Sequence, residues 1–139
     1  MKVLISIMLL CNLLSLTMRD FRELDFWERS YKFALKIYEV TKIFSKEEIF
    51  GLTSQLRRSV YSIPTNIAEG CGKESKKELF RYLQISLASL SETENHLMFS
   101  RDLHYINEKE YDILNDELQQ IKKMISSYTA KIKQDLLKI

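Results

Sequence analysis

The sequence predicts an all-α protein that forms an up-down antiparallel four-helix bundle of elongated shape. A Ser, Asp or Asn followed three residues later by Glu occurs four times, which is the spacing of a capping box at a helix start. Apolar residues then recur every three or four positions, as on one face of a helix. Three glycines and one proline among 139 residues leave little for strands and tight turns.

These four motifs divide the chain into its predicted helices. They are Asp25 to Glu28, Ser45 to Glu48, Ser75 to Glu78 and Asn107 to Glu110. We expect helices near 26–44, 46–70, 76–103 and 108–137. At about 1.5 Å per residue the last two are each roughly 40 Å long, which predicts a rod-shaped bundle.

The segment before the first helix has a different composition. Residues 1–17 are mostly apolar after Lys2, but they are too few for a membrane-spanning helix, which needs about 20 apolar residues. Three interpretations remain: a signal peptide, a gene start assigned too early, or an extra apolar helix lying on the bundle. We favour a true start near Met18, because the soluble pattern begins there, and assign the bundle domain to 18–139.

The first and fourth helices carry more apolar surface than one bundle core uses. In the first helix, Trp27, Tyr31, Ala34 and Tyr38 form a stripe beside a second one of Phe26, Phe33, Ile37, Val40 and Phe44. In the fourth helix, Ile113, Met124 and Leu137 fall off the heptad seam. The excess predicts burial against a second copy of the chain. The alternative is a thick core within one molecule.

The second helix contains the only proline, and we expect a bend at Pro64. We also expect Gly70 and Gly72 to end this helix with a left-handed cap. Asn66 and Glu69 lie on an otherwise apolar stripe, where a buried polar group needs hydrogen-bond partners. We therefore predict a structural polar core in which both face small polar residues of the third helix. Those residues are Ser86, Ser89 and Thr93.

Several motifs in this region resemble those of a known family. They are Arg57-Arg58, Ser62-Ile63-Pro64, Asn66-Ile67-Ala68-Glu69-Gly70 and Ser89-Leu90-Ser91-Glu92-Thr93-Glu94. Over roughly 25–133 the chain resembles the bacterial four-helix bundle proteins encoded in intervening sequences of large-subunit ribosomal RNA genes. These are related to the accessory variability determinant of diversity-generating retroelements. The resemblance implies a cytoplasmic ring, a homopentamer, whose partner is nucleic acid or a reverse transcriptase, and it implies no catalysis.

The sequence offers little for catalysis or for a cofactor. A di-iron bundle needs Glu-x-x-His motifs on two helices, whereas His96 and His104 both fall in or just after the third helix. Phosphate-binding glycine loops and nucleophile motifs do not occur in the sequence. Cys11 and Cys71 are expected to be free thiols. We therefore predict no enzyme activity, no metal, no cofactor and no small-molecule substrate.

The remaining candidate is a basic surface. It consists of Arg57, Arg58, Lys73, Lys76, Lys77 and Arg81. A net charge of +2 permits nucleic-acid binding but does not establish it, and Glu74 and Glu78 lie among these cations. The sequence thus predicts a non-catalytic oligomeric bundle that binds RNA, DNA or a protein through this surface. The alternative is a structural or protein-interaction module that does not bind nucleic acid.

Overall fold

The computed structural model describes residues 1–15 and 19–138. Within this part of the chain the secondary structure is helical, which confirms the all-α class. The α-helices are α1 (Lys2–Ser15), α2 (Asp25–Thr41), α3 (Leu52–Cys71), α4 (Lys76–Asp102) and α5 (Glu108–Leu137). Two short 3-10 helices, Phe21–Glu23 and Lys46–Glu48, precede α2 and α3. The described residues thus hold one α-helix more than the four that were predicted.

Helices α2 to α5 surround one apolar core. Contacts join α2 to α3, α3 to α4, α4 to α5 and α5 back to α2. Its fully buried large side chains include Phe33, Ile37, Leu56, Ile63, Leu90, Leu118 and Ile125. The paired residues show the directions of the helices: Arg29 with Gln120 and Lys36 with Glu117, then Arg58 with Glu92 and Ser62 with Ser89. In each pair of helices, the residue numbers of the contacts increase along one helix while they decrease along the other. The two helices of each pair therefore run antiparallel.

The helix starts agree with the capping motifs at two of the four positions. Asn107 forms a complete capping box with Glu110, and the Ser75 hydroxyl accepts from the Glu78 N–H at 3.1 Å. At the first motif, Asp25 is already the first residue of α2, and the N-cap is Leu24, which makes no side-chain capping bond. Such caps depend on residues only three positions apart, so one complete capping box and one single side-chain cap form where the spacing predicts them.

The start predicted for the second helix at 46 is wrong. Ser45 caps only the short 3-10 helix, and α3 begins at Leu52. Gly51 at the N-cap has a backbone that is neither helical nor extended, with φ −109° and ψ −118°, which interrupts the helix. Glu48 compensates for the missing cap, because its carboxylate accepts from the Leu52 N–H at 2.8 Å.

Helix α3 is continuous through Pro64, whose side chain is buried. A bend at Pro64 remains a prediction. The left-handed glycine cap is wrong, because Gly72 has a right-handed φ of −78° and its N–H donates to the Ala68 and Glu69 carbonyls. Gly70 lies inside the helix. Among the described residues, positive φ occurs at His104, where φ is 63° in the turn after α4.

The apolar segment at the N-terminus is helical. All side chains of residues 1–9 in α1 are exposed, so this part of the helix does not lie on the bundle as one of the three interpretations required. None of the helices in 1–15 and 19–138 is long and apolar enough to cross a membrane. The predicted start at Met18 and the side chain of Cys11 lie outside what the structure describes.

Candidate nucleic-acid interface

Buried hydroxyl groups bring α3 and α4 together and so position the basic residues on both helices. Ser86 donates to the Ile63 carbonyl at 2.9 Å, and the Ser62 and Ser89 hydroxyls are 2.8 Å apart. Further along, the Thr93 hydroxyl lies 3.0 Å from the Ser59 oxygen. Small side chains with satisfied hydrogen bonds let two helices approach closely without burying an unpaired polar group.

In the predicted structural polar core, Ser89 contacts Ser62 of α3, and Asn66 reaches α4 only through that Ser62 side chain. The Asn66 amide donates to the carbonyl and the hydroxyl of Ser62, at 2.8 and 2.9 Å, and Ser62 in turn contacts Ser89. The prediction for Glu69 is wrong: its side chain is exposed and lies on the side of α3 that faces α2. The neighbouring position, Gly70, takes the place against α4, since successive helical residues point about 100° apart.

Gly70 lies where α3 and α4 approach each other closely. A Cβ atom at this position would lie 2.9 Å from the Cβ of Tyr82 and 3.1 Å from the Leu79 side chain. Both distances are shorter than the normal separation of about 3.5–4.0 Å between carbon atoms. Glycine is therefore required here by space rather than by backbone conformation, and it places the end of α3 directly against the first turns of α4.

Arg57 and Arg58 do not belong to one surface with the other predicted cations. Arg57 donates to the Thr41 hydroxyl at 2.8 Å and lies 5.0 Å from the centre of the Tyr38 ring, so it contacts α2. Arg58 pairs with Glu92 of α4. Consecutive helical residues diverge in direction, and each arginine is held by a different neighbouring helix.

The other four predicted residues meet at the junction of α3 and α4. Lys73 and Arg81 lie over the same ring, with the Lys73 ammonium 5.4 Å and the Arg81 guanidinium 5.7 Å from the centre of Tyr82. Lys76 and Lys77 form the first turn of α4 beside them. We call Lys73, Lys76, Lys77, Arg81 and Tyr82 the basic junction. Two of its cations have carboxylate partners at exposed positions: Lys76 pairs with Asp135 at 3.3 Å and Arg81 with Glu78 at 3.7 Å.

A small cavity adjoins the basic junction, where the ends of α3 and α5 meet the start of α4. Its volume is about 150 Å³, and its lining includes Arg19, Cys71, Lys76, Tyr128, Lys131 and Asp135. Arg19 donates to the Tyr128 hydroxyl at 2.6 Å. Burial raises the pKa of the Tyr128 hydroxyl, an effect that the Arg19 charge opposes. Burial also raises the pKa of the Cys71 thiol to about 11, so this thiol stays protonated near neutral pH.

Sequence reasoning missed Tyr82, Arg19 and Lys131. Tyr82 could have been found, because it follows Arg81 directly and lies four residues after Glu78. Arg19 and Lys131 are 112 positions apart, and only the packed helices bring them to one cavity.

A second and larger cavity is an apolar groove between α2 and α3. Its volume is about 560 Å³, and it is lined by Phe21, Trp27, Tyr31, Ala34, Leu35, Tyr38, Tyr61, Pro64, Thr65, Ala68 and Glu69. The stripe predicted to be in excess on the first helix therefore lines this groove. Leu35 and Tyr61 are 53% and 60% exposed, so the groove opens to solvent in the single chain.

Possible metal-ligand side chains do not cluster in the part of the chain that the structure describes. Within 1–15 and 19–138, no group of three or more His, Cys, Asp and Glu side chains is placed to hold a metal ion. The nearest carboxylate to His96 is Glu92, at 3.5 Å, and this carboxylate also pairs with Arg58. The absence of enzyme activity and of cofactors stays a prediction.

Comparison with known proteins identifies the family. The family described as 23S rRNA-intervening sequence protein matches residues 22–127. A solved structure similar to this chain is a protein of unknown function from the S23 ribosomal protein family of Bacteroides thetaiotaomicron VPI-5482. It is 26% identical, with a TM-score of 0.70 over 76% of this chain and 95% of that chain. A search of functionally curated proteins gives no significant match. Because the matched segment covers well over half of the chain and holds both motif regions, α2 to α4 and the first two thirds of α5, this chain belongs to the 23S rRNA-intervening sequence protein family.

Proposed function

We propose that this protein is a non-catalytic, oligomeric helical scaffold that binds nucleic acid through the basic junction. In this proposal α2 to α5 form the up-down four-helix bundle, and α1 is an addition to it. The protein works in the cytoplasm, which agrees with a buried, protonated and unpaired Cys71 thiol.

One observation carries the nucleic-acid proposal: two cations share the ring of Tyr82, next to two lysines in the first turn of α4. Phosphate groups favour closely spaced cations because each neutralised phosphate releases a counterion. The Tyr82 ring attracts two of those cations and so holds them close together. The junction holds four cations against Glu74 and Glu78, whereas Arg57 and Arg58 are bound to neighbouring helices.

The test is the salt dependence of binding to a single-stranded RNA and to the DNA of the same sequence, measured by filter binding. A variant with Lys73→Ala, Lys77→Ala and Arg81→Ala should bind more weakly. The slope of log affinity against log salt should fall by roughly two units, at about 0.7 per lost phosphate contact on a single strand.

A matched control removes three cations from the opposite end of the bundle. Lys42, Lys46 and Lys109 lie beyond the end of α2 or near the starts of α3 and α5, and all are exposed. Replacing them by alanine lowers the net charge by three, as the basic-junction variant does. The comparison therefore separates binding at the basic junction from general electrostatic attraction. Equal losses in both variants, or no binding at low salt, would contradict the proposal.

We further propose that the apolar groove is where copies of the chain associate, in a ring that resemblance suggests is a pentamer. The groove is wide, largely apolar and open, and such surfaces on monomers mark interaction sites. Leu35→Asp should shift the protein towards single copies in sedimentation velocity. Leu103→Asp, just after α4 and outside the groove, is the matched control, because its side chain is 52% exposed and that of Leu35 is 53% exposed. A wild-type protein that is monomeric at micromolar concentration would refute this part.

The second candidate is a protein-interaction module without nucleic-acid binding. The groove favours it, since an apolar groove between two helices also accepts an amphipathic helix of another protein. The resemblance suggests a reverse transcriptase as one such partner. In that case the filter-binding assay is negative for RNA and DNA, and binding of the partner is lost in the Leu35→Asp variant.

A further inference from the structure

We propose that the cavity beside the basic junction binds a phosphate monoester, such as the terminal phosphate of a nucleic-acid strand. The cavity holds about 150 Å³ and is lined by Arg19, Cys71, Lys76, Tyr128, Lys131 and Asp135, among others. This site is distinct from the surface of the basic junction. Of the residues that line the cavity, only Lys76 also belongs to the basic junction.

The charge of the cavity matches that of the ligand. Three cations, Arg19, Lys76 and Lys131, line it against one carboxylate, Asp135. A phosphate monoester carries a charge of about −1.5 to −2 at neutral pH, so it would neutralise the excess. A phosphodiester carries a single charge per phosphate and would leave part of the excess uncompensated.

The cations also retain hydrogen-bond donors for a ligand. One nitrogen of Arg19 donates to Tyr128 at 2.6 Å, which leaves further guanidinium N–H groups of a side chain suited to phosphate. The Lys76 ammonium spends one of its donors on Asp135 at 3.3 Å. Lys131 has no ion-pair partner among the described residues. Arg19 is thus held in place at the cavity by its bond to Tyr128, and its charge has no carboxylate partner within 19–138.

The shape of the cavity selects a chain end. Cys71 and Ile132, which line the cavity, are buried, so we expect a ligand to enter from the exposed side where Lys131 and Asp135 lie. A phosphodiester within a strand must continue in both directions, whereas a terminal phosphate can enter alone. The size is sufficient, because an apolar cavity of about 150 Å³ accommodates benzene, which has one heavy atom more than phosphate.

That the phosphate belongs to the end of a nucleic-acid strand rests on the proposed nucleic-acid binding. Free phosphate and nucleotides would bind in the cavity by the same chemistry. Calorimetric titrations therefore use two probes. The first is a nucleoside 5′-monophosphate alone, and the second is one oligonucleotide prepared with a 5′-phosphate and with a 5′-hydroxyl. The variants are Arg19→Ala, Lys131→Ala and Asp135→Asn, with Lys109→Ala as the control.

We expect Arg19→Ala and Lys131→Ala each to weaken monophosphate binding about tenfold, the loss of one charge-assisted hydrogen bond. Asp135→Asn should strengthen binding several-fold, because it removes the competing carboxylate and frees Lys76. A gain of affinity is not expected of a variant that merely damages the fold. Circular dichroism melts check that all four variants remain folded.

The outcomes separate this proposal from the proposed function. If the monophosphate does not bind at millimolar concentration, or if Asp135→Asn binds it no better than the wild type, the cavity proposal is overturned. Oligonucleotides that bind equally with and without the 5′-phosphate overturn the chain end as the source of the ligand, and leave the basic junction standing. Binding of the monophosphate but of neither oligonucleotide supports the cavity and refutes the nucleic-acid function.

Discussion

Replacing Gly70 by alanine tests how closely α3 and α4 pack. The new Cβ atom would lie 2.9 Å from the Cβ of Tyr82, an atom fixed to the backbone of α4. Normal carbon contacts are about 3.5–4.0 Å, so α4 would have to retreat by roughly 0.6–1 Å. A side-chain rotation cannot relieve this contact, because a Cβ position does not change with rotamer.

The magnitude follows from two opposed effects. Alanine in place of glycine inside a helix stabilises by about 1 kcal/mol. Overpacking of a closely packed interface costs about 1–3 kcal/mol. We expect the upper part of that range, because a retreat of α4 also lengthens the hydrogen bonds between Ser62 and Ser89 and from Ser86 to Ile63. The net expectation is a loss of about 1–2 kcal/mol in the free energy of unfolding.

The assay is urea denaturation at one fixed protein concentration. With a slope of about 2 kcal/mol per molar urea, the midpoint should fall by roughly 0.5–1 M. Gly72→Ala is the control, since a Cβ there meets its nearest neighbour, the Glu69 carbonyl, at 3.4 Å and φ is −78°. If Gly70→Ala is as stable as Gly72→Ala or the wild type, the close approach of α3 and α4 is refuted.

Three further predictions concern the core, the thiol and the helix caps. Leu90→Ala, at a fully buried position, should lower the free energy of unfolding by about 2–5 kcal/mol, whereas Ile43→Ala at an exposed one should change it little in the same denaturation series. The Cys71 thiol, with its pKa raised to about 11, should resist alkylation in the folded protein and react in urea. This pKa is higher in the folded than in the unfolded chain, so the protonated thiol contributes to stability fully below about pH 8.5. That contribution is lost as the pH rises towards 11. The Cys71→Ser variant should therefore show a smaller loss of stability at alkaline pH in pH-dependent melts. Asn107→Ala should cost about 1 kcal/mol, more than Ser45→Ala, whose hydroxyl accepts only a 3.4 Å bond in a 3-10 turn, and thermal melts of both variants compare them.

Local features of the fold were predictable from sequence, and long-range ones were not. The caps at Ser75 and Asn107 depend on residues three positions apart, so their spacing sufficed. The start of α3 was missed because Gly51 interrupts a helix that Ser45 and Glu48 would otherwise begin. The position of Glu69 was missed because a stripe on one helix does not reveal which neighbour covers it.

The candidate site illustrates the same limit. Arg57 and Arg58 are adjacent in sequence, yet they contact different helices, so grouping them by sequence was misleading. Lys73 and Arg81 are eight positions apart and meet over one ring. The turn between α3 and α4 brings them together, and that geometry depends on the close approach at Gly70.

The apolar groove contains its own optical reporter. Trp27 is the only tryptophan of the chain, and it lies in the groove with its ring 4.8 Å from Phe21 and 5.1 Å from Tyr31, centre to centre. Any molecule that fills the groove displaces water from this indole, which shifts its fluorescence emission to shorter wavelength. Occupancy of the groove can therefore be followed in the unlabelled protein by intrinsic fluorescence, with no background from a second indole.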